Sequence, residues 1–129
     1  MDFIEKELEV DILAAALGTN QQDNPELLGL LAKKLQQILP KNTRVKRRFF
    51  GLGSIQEITV FFDEYRFQVS RQRYGSLSAK VIKVVRGIVI KTTEIPFEQW
   101  NYEIAQELAR LAQRSADTRN AIKKLVMHI

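Results

Sequence analysis

The apolar residues of this chain change period twice, and that change restricts the fold more than any single motif. Before Pro40 they recur every third or fourth residue, as on one face of a helix. From Thr43 to Lys91 they alternate, as along a half-buried strand, and from Phe97 the helical spacing returns. A chain of 129 residues written this way predicts one α+β domain: helices, then an antiparallel sheet, then helix again. Its segments are a helical hairpin arm over 1–39, a basic antiparallel sheet over 43–91 and a C-terminal helical segment over 97–129.

In the first segment, Ile4, Leu8, Ile12 and Ala15 or Ala16 mark the stripe of a helix over 3–17, and Gly18 suits the position that ends it. Residues 18–24 read as a polar linker. Asn24, Pro25 and Glu26 are a helix start, with Asn24 as cap and Pro25 at the first helical position. Leu28, Leu31, Leu35 and Ile38 then line one face, Pro40 stops the helix, and the two helices are expected to pair as a hairpin.

The alternating segment predicts four strands, over 43–50, 55–62, 65–73 and 77–91. A two-residue turn at Asp63-Glu64 sets Val60 against Phe67 and Ile58 against Val69. A second turn at Gly75-Ser76 sets Phe67 against Val84, Val69 against Ile82 and Arg71 against Lys80. Gly87 predicts a bulge in the fourth strand. In the last segment Trp100, Ile104, Leu108 and Leu111 form a core stripe that runs on through Ser115, Thr118, Ile122, Leu125 and Ile129. The stripe admits one long helix or two with a break near 115–117; Ser115 and Thr118 are weak seam residues and Asp117 could cap a second helix, so the break is preferred.

Charge is uneven along this plan. Residues 1–26 hold seven acids and one base, a net of −6, whereas Lys41 to Lys91 holds twelve bases and three acids, a net of +9. Such a body attracts polyanions, acidic proteins or its own acidic arm. The absence of cysteine rules out a disulfide framework, a thiolate metal site and a Cys nucleophile. The acidic N-terminus does not read as a signal peptide and no apolar run approaches the length of a membrane span, so a cytoplasmic location is expected. The single histidine, His128, is next to the last residue, and no serine has a His-acid partnership in view; neither catalysis nor a cofactor is expected. Gly51-Leu52-Gly53-Ser54 lacks the Lys-Ser/Thr and the following helix of a phosphate-binding loop and reads as a hairpin loop.

The sharpest lead is the outer face of the sheet. With Phe50 opposite Ile55, Arg48 faces Glu57, Lys46 faces Thr59 and Arg44 faces Phe61. Arg44, Lys46, Arg48, Arg66 and Lys83 then form a candidate polyanion-binding surface interleaved with Phe61, Val81 and Val85. The plainer expectation is that a helix covers the apolar members while the bases reach past its edges. The run from Lys41 to Arg48 is likewise expected to guard an edge strand against aggregation. Together these features point to a non-catalytic interaction or regulatory module that binds protein or self-associates. The alternative is a nucleic-acid-binding protein using the basic face, with the acidic first helix as an autoinhibitory mimic. No membrane partner and no small-molecule substrate are expected.

Overall fold

The computed structural model describes residues 3–18, 26–72 and 75–127, and of 3–9 and 50 the backbone alone. Helices α1 (Phe3–Leu17) and α2 (Leu27–Ile38) precede β1 (Thr43–Arg47) and a single helical turn, α3 (Arg48–Gly51). Strands β2 (Ile55–Phe61), β3 (Tyr65–Arg71), β4 (Leu77–Val85) and β5 (Ile88–Ile95) follow, then helices α4 (Phe97–Arg114) and α5 (Ala116–Met127). The strands form one antiparallel meander in the order β1-β2-β3-β4-β5. Among the described residues the sheet therefore has five strands where four were expected.

The difference lies in the last expected strand, which is a hairpin. Arg86 and Gly87 both have positive φ, 53° and 80°, and form a two-residue turn between the paired residues Val85 and Ile88. Positive φ at both central positions is the conformation of the hairpin turn whose twist matches that of the strands. Glycine reaches it freely; arginine reaches it against its preference, which is why Arg-Gly inside an apolar run did not read as a turn. The register break in this ladder falls between Lys83 and Val84 instead of at Gly87.

The β2–β3 register matches expectation, with Val60 opposite Phe67 and Ile58 opposite Val69. Phe62 N–H donates to Tyr65 O at 2.8 Å and closes the Asp63-Glu64 turn. The next register differs by three residues: Phe67 faces Val81, Val69 faces Ala79, and Arg71 faces Leu77. The connection spans 72–76 and is closed by Gln72 N–H donating to Ser76 O, so it is longer than the two-residue turn assumed. An odd slip exchanges the faces of a strand. Val81 and Ala79, and not Ile82, accordingly join the core cluster, while Val84, past the register shift, is buried outside that cluster.

The core lies between the sheet and the helices. Ile58, Val60, Phe67, Val69 and Ala79 project from the sheet, with Leu28, Leu31 and Leu35 of α2 and Trp100, Ile104 and Leu108 of α4 over them. Trp100 is fully buried, donates its indole N–H to Lys80 O at 3.2 Å, and contacts Phe97 and Phe67 with ring centroids 5.7 and 6.1 Å away. A buried indole N–H needs such an acceptor. The stripes expected on α2 and α4 are the buried ones, except that Leu111 is only partly buried.

α1 behaves differently. In its described half Val10, Leu13, Ala16 and Leu17 are buried, whereas Ile12 is about half exposed. The run Ile12-Leu13-Ala14-Ala15-Ala16-Leu17 is apolar on every side, so spacing could not choose the face. α1 lies against α4 and α5, and α2 against β1, β2 and α5. The two helices expected to pair as a hairpin thus have different principal neighbours. They are tied where Lys34 of α2 donates to Ala16 O at 2.8 Å, a cation on the free carbonyls of a helix end. The helix ends at Gly18, where φ is 80°. The expected cap at Asn24 and Pro25 lies outside the described residues.

The break between α4 and α5 falls at Ser115, whose backbone is extended. The cap is Ser115 and not Asp117: Thr118 N–H donates to Ser115 Oγ at 3.2 Å.

Candidate functional site

β-strand alternation gives the sheet a second face, built from the residues between the core positions. Arg44 on β1, Thr59 on β2, Gln68 on β3 and Lys80 on β4 stand in one row across the strands. Phe61, Arg66 and Ile82 form the adjacent row, and Lys46, Glu57 and Ser70 flank the first on its other side. Phe61 and Ile82 lie outside the cluster of buried residues that α2 and α4 cover. Arg44 and Lys46 are exposed, and Phe61, Arg66, Gln68 and Ile82 are half-buried. The helix cover expected over Phe61 is therefore on the other side of the sheet, because the face with the continuous apolar set is the one that gains most from burial.

Two cations lie over the ring of Phe61. The guanidinium carbons of Arg44 and Arg66 lie 4.9 and 5.3 Å from its ring centroid. These are cation–π distances, with the charged guanidinium heads themselves over the ring. Among the described residues no carboxylate lies within ion-pair distance of Arg44, Lys46 or Arg66. Gln68 donates to Thr59 Oγ1 at 3.4 Å beside them. Glu57 stands opposite Lys46 in the register and is the nearest acid in the ladder.

Of the five residues expected to share this face, three do. Arg44, Lys46 and Arg66 come together around Phe61. Arg48 does not, because β1 ends at Arg47 and the chain turns into α3; Phe49 there has φ 52°. The β1–β2 register is shifted accordingly, with Arg44 opposite Thr59 and Lys46 opposite Glu57. Lys83 does not, because the three-residue slip of β4 puts it opposite Tyr65, on the helix side of the sheet. For the same reason Val81 belongs to the core, and Arg71 does not oppose Lys80. Arg71 donates to Gly75 O at 3.0 Å, while Lys80 takes Gln68 and Glu94 as neighbours. Lys80 is the base that sequence reasoning missed on this face; only the loop length after β3 could have revealed it.

A second surface is the free edge of the sheet. Among the described residues β5 pairs only with β4, and Ile88, Val89 and Ile90 are 65, 50 and 59% exposed. Val85 across the hairpin is exposed as well. The opposite edge, β1, is shorter and carries Arg44, Lys46 and Arg47.

The helical side offers less. α1 and α2 both touch α5, and Ile122 and Leu125 pack against the core. A shallow groove of about 530 Å³ remains, lined by Ile12, Ala109, Ile122, Val126 and Met127. α1 rests on α4 and α5, with Asn101 Nδ2 donating to Ala14 O at 2.9 Å. Among the described residues no group of three or more His, Cys, Asp or Glu could hold a metal ion, and no helix is long and apolar enough to cross a membrane. His128 lies outside the described residues. Comparison with protein-family models, with curated proteins and with solved structures found no match to this chain.

Proposed function

We propose that this protein is a non-catalytic interaction module that self-associates by pairing β5 with the β5 of a second copy. The reading rests on one observation: an eight-residue edge strand whose three consecutive aliphatic residues are each at least half exposed. An unprotected apolar edge is a template for strand addition.

A second copy suits this edge because β5 is electrically neutral, with Lys91 balanced by Glu94. A two-fold axis through Thr92 sets Thr92 against Thr92 and Val89 against Ile95, and puts no like charges opposite one another. β1 cannot pair with itself this way, since its arginines and lysine would meet their own kind.

Light scattering and sedimentation over a range of protein concentration test the proposal. A dimer is expected, with Ile90→Lys or Val89→Lys giving a monomer of unchanged far-UV circular dichroism. A wild-type chain that stays monomeric at every concentration, or a dimer indifferent to both substitutions, would refute it.

A further inference from the structure

The face around Phe61 points to a separate binding activity, and we infer that it holds a short stretch of single-stranded RNA. The inference does not rest on strand pairing at β5, which uses a different part of the sheet.

Two sets of groups meet there. The first is cationic: Arg44, Lys46, Arg66 and Lys80 lie on one face, and the first three have no carboxylate within ion-pair distance among the described residues. Four bases against two acids, Glu57 opposite Lys46 and Glu94 opposite Lys80, leave the face with a net positive charge that favours a polyanion. The second is flat and stackable. Phe61 and the two guanidiniums beside it form a layered group, and bases stack both on aromatic rings and on arginine planes. A surface built only for an acidic protein has no use for the second set, and a surface built only for bulk polyanions does not need it at the centre.

Geometry favours a single strand. From β1 to β4 the face spans three strand spacings, about 14 Å, which matches two or three nucleotides. A flat sheet offers no helix or ribbon to enter the major groove of a duplex. Gln68 and Ser70, half-buried on the same face, supply an amide and a hydroxyl for base edges and 2′-hydroxyls, the groups that separate RNA from DNA.

Two of the bases give built-in controls. Arg48 and Lys83 carry the same charge as Arg44 and Arg66 but lie off this face. Fluorescence anisotropy of a labelled uridine-rich single-stranded RNA decamer is the test, with DNA of the same sequence, the RNA duplex and polyglutamate as competitors. Neutralising three phosphates predicts a roughly 20-fold loss of affinity between about 50 and 200 mM salt. Arg44→Ala and Arg66→Ala should each weaken binding and flatten the salt dependence, while Arg48→Ala and Lys83→Ala leave both unchanged. Phe61→Leu should weaken binding about tenfold with the salt dependence retained.

No binding at low salt would overturn the inference. So would equal losses for the on-face and off-face arginines and lysines, which would mean a diffuse charge effect. Polyglutamate or duplex competing as well as the single strand would reassign the face to an acidic protein or to bulk polyanions. DNA binding as tightly as RNA would remove the RNA assignment. Circular dichroism of each variant separates loss of binding from loss of fold.

Discussion

Val60 and Phe61 are adjacent on β2, yet one is fully buried against α2 and α4 while the other sits on an uncovered face with two arginines over its ring. The same contrast runs along the whole sheet. Core-side positions are Ile58, Val60, Phe67, Val69 and Ala79, all buried; the other side carries Arg44, Lys46, Arg66 and Lys80 around a half-buried aromatic. Alternation lets one set of strands do two jobs: one face holds the helices, and the other is free to bear a charge pattern that a core would not tolerate. Variants on the two faces should therefore separate stability from binding.

The largest effect is expected on the covered side. Trp100→Ala removes the fully buried ring that bridges α4 and the sheet and leaves Lys80 O without its donor; a loss of about 3–5 kcal/mol should appear in urea denaturation. A loss below about 1 kcal/mol would show that this side is not the stabilising one. The neighbouring pair on β2 sharpens the point. Val60→Ala should cost roughly 2 kcal/mol by emptying packed space, whereas Phe61→Ala should cost about 1 kcal/mol or less, the worth of exposed cation–π contacts and partial burial. If Phe61→Ala proved the more damaging, Phe61 would belong to the structure and not to a binding surface. The smallest effect concerns the hairpin. Arg86→Asn places a residue tolerant of positive φ at the first turn position and should raise stability by about 0.5 kcal/mol, seen as a small upward shift in melting temperature. A decrease would show that Arg86 makes contacts worth more than its backbone strain.

What was readable in the sequence depended on how local the determining physics is. Leu28, Leu31, Leu35 and Ile38 on α2, and Trp100, Ile104 and Leu108 on α4, declared their buried faces because they recur at helical spacing in segments that are largely polar elsewhere on their surface. The break near Ser115 was visible because polar residues interrupt the stripe there. The β2–β3 register was visible because a two-residue turn admits only one alignment, and it brought Arg66 beside Phe61 correctly. The class itself, helices around an antiparallel sheet, follows from the two changes of apolar period.

The rest was decided by distances in space. The loop over 72–76 sets the β3–β4 register, and a three-residue difference there moved Lys83 off the basic face and put Lys80 on it. The Arg86-Gly87 turn depends on a backbone conformation that arginine adopts only because the paired strands on either side hold it there. Whether a helix lies over Phe61, and which side of α1 is buried, depends on where α2, α4 and α5 settle. Burial is a property of the assembled chain: a residue's period tells which face it shares, and only the packing of distant segments tells which face meets water.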